Sequence, residues 1–243
     1  MKDKPVVDWR CRVTTTLEKE CKNPYTGKIY NKGAPVSLST SIKHKDHVID
    51  IADPSAPALL LNQSIIAYNN ALTIHPFLID SKPSVGEDIS PRVFDFLELM
   101  MASIIFAYSS LEAFANEEIP ENYNYETTRN RSALLVVLRK SSIERNINLD
   151  EKLSIILPQV KKVNSPKGTR IWNEYVELGR IRDRIIHMKS ADRIHSTWNN
   201  HYPNTLWSYL CNPKSINYPL VSKNLFLHFK KIDETSWLKY CPI

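Results

Sequence analysis

"ELGRIRDRIIHMKS", residues 177–190, decides how this chain is read. At about 100° per residue, Leu178, Ile181, Ile185 and Met188 fall on one face, which predicts an amphipathic helix with that face buried. Asp183 and His187 lie roughly opposite, as i, i+4 neighbours able to touch, with Arg180 and Arg184 projecting near them. Around a straight helix, Arg182 is displaced from His187 by about 140°. A long arginine closes part of that gap, and a second copy of the helix across a two-fold axis would close the rest. Two readings stand side by side: a solvated basic helix face, or a site of the form Arg-Asp-x-x-x-His.

The second reading has definite chemistry. Cleaving an RNA phosphodiester needs a group that moves a proton near neutral pH, and histidine is the usual choice. It also needs a fixed cation for the charge that develops on phosphate, which a guanidinium fork fits. Asp183 beside His187 would orient the imidazole or favour its protonated form. Spacing alone favours the solvated face.

The flanking segments frame this helix. "PRVFDFLELMMASIIFAYSSLEAFANEEIP", residues 91–120, opens with a proline suited to a first helical turn and stops before Pro120; being apolar on most sides, it predicts a central bundle helix. Within it, Ser109, Glu112 and Asn116 form a polar stripe at i, i+3, i+7, read either as a hydrogen-bonded cluster or as a solvent face. Residues 127–146 and 150–163 predict two further helices, the latter broken or ended near Pro158. Thr169 is placed to cap the helix that follows, and residues 218–232 predict a last helix through Val221, Leu225, Phe229 and Ile232, with a turn at 205–210 before it.

Residues 1–88 read differently. The stretches 9–18, 23–30 and 35–52 predict short strands, while 56–79 fits buried strands or a helix equally well. "DSKPSVGEDISP", residues 80–91, is the best boundary, giving a β-containing region over 1–88 and a helical bundle over 89–243. The fold class expected is therefore mainly α.

Composition narrows the partners. A hydrophobic fraction of 42% and a charged fraction of 24% belong to a folded globular chain, and a net charge of +6 favours polyanions such as nucleic acid. Five glycines form neither a GxGxxG nor a GxxxxGK loop, so no loop-cradled nucleotide is expected. The four cysteines lack a CxxC pair and read as reduced thiols, and neither a signal peptide nor a membrane span is seen; a cytoplasmic protein is expected.

The order of an apolar helix ending in "SSLEAFANE", intervening helices, the "RDRIIH" helix and a last apolar helix resembles the HEPN superfamily (higher eukaryotes and prokaryotes nucleotide-binding domain). The resemblance covers roughly Ile89 to Ile232. It implies a HEPN-like helical bundle that forms a homodimer, with both motif helices lining one cleft. In active members that cleft is a metal-independent endoribonuclease site, found in toxin and phage-defence systems; inactive members serve as dimerisation or binding modules. Carried over, Arg182 and His187 would be the catalytic pair and Asp183 the polar residue after the arginine, with Ser109, Glu112 and Asn116 in support. RNA is the expected partner, beside a neutralising antitoxin or regulatory protein, with no cofactor, metal or membrane. Arg180, Arg184, Lys167 and Arg170 are candidates for holding the RNA backbone. "HKDHVID", with His44, Asp46, His47 and Asp50, is read as a solvated strand or loop rather than a zinc site. His195 and His201 read as loop residues, and Trp172, Trp198 and Trp207 as packing residues more than base-stacking platforms.

Overall fold

The computed structural model describes residues 8–13, 15–24, 27–80, 88–128, 135–193, 205–211, 216–230 and 237–243. Its central element is α2 (Ser90–Glu118), whose buried face runs through Phe96, Met100, Ile104, Ala107, Leu111 and Phe114. These recur at three- and four-residue intervals, the spacing that keeps side chains on one helical face. Pro91 sits in the first turn, where a missing N–H costs nothing, and Ile119 before Pro120 is extended, as a residue preceding proline prefers. By length and apolar composition α2 would suffice to cross a membrane, but here its apolar face packs within the core.

Three helices surround α2: α1 (Ala56–Asp80), α6 (Arg170–Ile186) and α8 (Tyr218–Phe229). Small residues permit the close approaches. Ser64 of α1 donates to the Ser103 carbonyl at 2.8 Å, and Ser222 of α8 donates to the Ala107 carbonyl at 2.8 Å. Phe114 stacks obliquely on Phe226 with ring centroids 4.5 Å apart, closing the α2–α8 seam. Residues 56–79, open between strands and helix in the sequence, are thus helical, and α1 shares the hydrophobic core of α2. The segment read as a boundary, residues 80–91, runs between two helices of one core; its residues 81–87 lie outside the described set.

The strands are short antiparallel pairs. β1 (Thr15–Thr16) pairs with β4 (Pro35–Val36), β2 (Cys21–Lys22) with β3 (Ile29–Tyr30), and β5 (Ser39–His44) with β6 (His47–Ala52). His44 and His47 face each other at the tip of the last hairpin. This region is tied down where Trp9 meets Trp237 at 5.9 Å and where Arg12 reaches Glu117 of α2 at 3.3 Å.

One expected helix comes out differently. Residues 127–146 were expected as one helix. The structure has instead β7 (Asn124–Thr128) paired with β8 (Leu135–Arg139), then α3 (Lys140–Asn146). The β-branched runs around Thr127–Thr128 and Val136–Val137 suit strands, and pairing satisfies their backbone. Residues 150–163 are helical, with the α-helix interrupted just before Pro158 and ended at Lys161. Short α4 (Leu149–Glu151) passes through a π-turn at Lys152–Ile156 into α5 (Leu157–Lys161). Proline has no N–H for the carbonyl four residues back, here Ser154, and the Ser165 hydroxyl donates to that carbonyl at 2.8 Å. The remaining helices agree with expectation: α7 (Leu206–Cys211) supplies the turn, and Val221, Leu225 and Phe229 of α8 are buried, while Ile232 lies outside the described residues.

Two outcomes follow from this packing. Ser165→Ala should cost about 1 kcal/mol by stranding the Ser154 carbonyl, while Ser141→Ala at an exposed position should stay within about 0.5 kcal/mol; denaturant unfolding compares them, and equal effects would discount the proline patch. Burial pushes the Tyr125 and Tyr209 hydroxyls up to about 12, Glu151 and Glu177 adding to it respectively, and also raises Tyr175 and Tyr218. Because these folded values lie above the unfolded value of about 10, their contribution is intact below that pH and lost as pH rises beyond it. The melting temperature should therefore fall between about pH 10 and 12 as tyrosinate absorbance appears with unfolding; a rise over that interval would contradict the burial described.

Candidate functional site

Helix α6 begins at Thr169, whose hydroxyl accepts the Trp172 N–H at 3.3 Å, the N-cap expected of threonine there. Leu178, Ile181 and Ile185 are buried as their spacing requires, and Met188 packs against the same core just past the helix end. The helix stops one residue sooner than the motif needs. His187 is its C-cap, with φ −116° and ψ 53°, although its N–H still donates to the Asp183 carbonyl at 2.8 Å. Its side chain is exposed at the helix end.

This changes the expected pairing of Asp183 with His187. The Asp183 carboxylate instead accepts from the Arg182 guanidinium at 2.9 Å. Among the described residues, no hydrogen bond or ion pair reaches the His187 imidazole.

Arg182 is held from a second direction. Its guanidinium lies 5.1 Å from the centroid of the Tyr108 ring, on α2. Tyr175, Gly179 and Arg182 follow one another at i, i+4, i+7 on α6, and Tyr108 spans all three. It stacks on Tyr175 with centroids 6.2 Å apart and planes 12° from parallel. It passes so close to Gly179 that a Cβ there would sit 3.4 Å from its ring. Tyr175 in turn donates its hydroxyl proton to Asp150. Burial raises the pKa of both phenols, and Asp150 reinforces the effect at Tyr175, so both stay protonated at neutral pH.

The polar stripe of α2, Ser109, Glu112 and Asn116, lies beside Tyr108 on the same helix. Tyr108, Glu112 and Asn116 share a face at i, i+4, i+8, and half-buried Ser109 takes no part in these contacts. Asn116 accepts from Lys152 at 2.8 Å, and the same buried ammonium donates to the Glu144 carbonyl at 3.0 Å. Burial lowers the Lys152 pKa, against the opposing fields of Glu112 and Glu144. Asn116 is about 12 Å along α2 from Tyr108, so it braces the π-turn rather than touching the motif. Glu112, exposed, lies between them.

The other arginines of α6 have partners of their own. Arg180 forms a two-pronged pair with Glu177 at 2.8 and 2.7 Å, and the same carboxylate accepts from Tyr209 at 2.9 Å. The Arg180 hydrogen bonds hold the Glu177 carboxyl below its ordinary range. Arg184 is mostly buried against Asp192, whose carboxylate also accepts the Leu206 N–H at 2.9 Å at the start of α7. Expected to face an RNA backbone, Arg184 is neutralised inside the fold instead. Arg170 pairs with Glu174 at 2.8 Å while remaining largely exposed, and the Lys167 ammonium lies 5.8 Å from the Trp172 ring. These two mark the opposite end of α6, about 25 Å from His187. Trp172 is buried and Trp207 partly exposed; His195, Trp198 and His201 lie outside the described residues.

Tyr108, Tyr175 and Asp150 were not found by reading the motif. The signal available was the second stripe of α6, Tyr175–Gly179–Arg182, where a glycine between two large side chains invites a close neighbour.

The Arg184 side chain carries a further outcome. Asp192→Asn should destabilise the fold by about 3 kcal/mol, since it removes the carboxylate charge paired with a mostly buried guanidinium, and should loosen α7 through Leu206. Thermal unfolding with hydrogen exchange at Leu206 checks this; near-native stability would mean that the Asp192 charge is not what holds Arg184. Comparison of the chain with family models, with curated proteins and with solved structures finds no match to any of them.

Proposed function

We propose that the chain is a HEPN-like, metal-independent endoribonuclease that acts on RNA as a homodimer. The observation that carries this reading is the exposed His187 at the C-terminal end of α6, five residues after an arginine whose guanidinium is oriented by Tyr108 and Asp183. In the proposed reaction the 2′-oxygen attacks the adjacent phosphorus and the bond to the 5′-oxygen breaks. The products are a 2′,3′-cyclic phosphate and a 5′-hydroxyl. His187 takes the proton from the 2′-hydroxyl and returns one to the departing 5′-oxygen. Arg182 faces the charge that grows on the phosphate oxygens. Exposed Arg170, with Lys167 and Arg180, offers positive charge to the backbone along the N-terminal side of the site. Toxin or phage-defence effector is the biological role that fits such an activity, with an antitoxin or regulatory protein as its counterpart.

One observation favours a second reading, a non-catalytic module of the same type that dimerises and binds RNA, nucleotide or protein. Asp183 already neutralises Arg182, and among the described residues no side chain orients the His187 ring.

Incubation of the purified protein with total RNA and labelled tRNA in EDTA, beside His187→Ala and Arg182→Ala, decides between them. Cleavage with cyclic-phosphate ends that drops at least a hundredfold in each variant supports the ribonuclease. A folded dimer that binds RNA without cleaving it, or cleavage that persists in both variants, favours the module.

A further inference from the structure

The candidate motif contains no residue from α2, yet α2 supplies the group that meets Arg182 from outside its own helix. We infer that Tyr108 is a positioning residue for Arg182, holding the guanidinium by its ring face while Tyr175 and Gly179 hold the ring. The inference rests on the assignment of Arg182 as the cation of the site.

Arginine has the freedom to reach several places from a helix surface, and Asp183 beside it would draw the guanidinium along the helix edge. An ion pair between half-exposed neighbours is weak and exchanges easily with water. The Tyr108 ring adds a second, directional restraint, because its negative face attracts the planar cation only from above. The ring itself has little freedom to follow the arginine. It lies nearly parallel to Tyr175, and Gly179 gives it contact with the α6 backbone instead of a side chain that would push it away. Tyr175 is almost wholly buried and donates to Asp150, beyond the far side of the stack. One step before Tyr108, the Ala107 carbonyl accepts from both Ser110 and Ser222, which fixes the α2 backbone against α8 at that level. The line of support therefore runs from Asp150 and α8, through Tyr175 and Tyr108, to the guanidinium.

The essential feature of Tyr108 in this role is the ring, not the hydroxyl. Tyr108→Phe keeps the ring; Tyr108→Leu keeps apolar bulk but loses the face. The test uses the full chain and two readouts. The first is the NMR signal of the Arg182 Nε–H, assigned by its disappearance in Arg182→Lys. It should be displaced upfield from the other arginines by the Tyr108 ring current, stay displaced in Tyr108→Phe, and return to the common position in Tyr108→Leu. The second is RNA cleavage: kcat should fall roughly tenfold in Tyr108→Leu, the size of a lost cation–π contact in a partly desolvated site, with KM nearly unchanged and with rescue by phenylalanine. If the leucine variant does not fold, Tyr108→Met takes its place as the flexible apolar filler.

An Arg182 signal that is not displaced, or that is unmoved in Tyr108→Leu, overturns the inference whether or not the chain cleaves RNA. Cleavage unaffected by loss of the ring overturns it as well. A displaced signal that is lost with the ring, in a protein that cleaves no RNA, sinks the ribonuclease reading but supports the hold of Tyr108 on Arg182. A displaced signal lost together with kcat supports both.

Discussion

Helix α2 is packed by α1, α6 and α8 at once, and each contact depends on a residue small enough to let backbones approach. Ser64 meets Ser103, Ser222 meets the Ala107 carbonyl, and Gly179 meets the flank of Tyr108. Serine serves well in the first two places because its hydroxyl returns a proton to a carbonyl already inside the helix, leaving no donor unsatisfied. Close approach then makes room for the large side chains between those points, where Phe114 lies against Phe226 and Phe229. The aromatic packing and the small-residue contacts therefore depend on each other.

The charges of α6 are sorted by this packing. One helix presents Arg170, Arg180, Arg182 and Arg184 within fifteen residues, and their fates differ because each faces a different neighbour. Arg184 points toward the buried Asp192 and holds the start of α7. Arg180 closes on Glu177 and Tyr209. Arg170 stays in solvent at the N-terminal end, where its pair with Glu174 is easily opened. Arg182 alone in this group lies against a ring of α2. Counting arginines gives the same net charge for every arrangement, so the basic character of the chain says little about which guanidinium meets a ligand.

Much of the architecture was legible locally. The buried stripe through Leu178, Ile181 and Ile185, the Thr169 cap, the span of α2 between Pro91 and Pro120, and the stripe of α8 all follow from periodicity, capping and the geometry of proline. Legibility failed where a segment's neighbours decide its form. Residues 56–79 are apolar on several sides, with Leu59, Ile66 and Leu72 exposed beside the buried Leu61 and Ile65, and that erases the periodicity that separates helix from strand. The stretch containing Leu135–Arg139 becomes a strand because Asn124–Thr128 is there to pair with it. Around Pro158 the chain passes through a π-turn rather than stopping, and Ser165, from the next loop, satisfies the Ser154 carbonyl that the proline strands.

At the candidate site the division is similar. The residue types and their spacing, Arg182, Asp183 and His187 beside a buried stripe, were set by the sequence alone, since spacing along a helix is a local property. The withdrawal of Arg184 to Asp192 and the approach of Tyr108 were decided by tertiary structure, whereas the helix end at His187 and the pairing of Asp183 with adjacent Arg182 are local features that periodicity does not reveal. The physical reason is that side-chain electrostatics depend on what lies within a few ångströms, and for Arg182 that neighbour is a ring brought by packing from a helix 74 residues earlier in the chain.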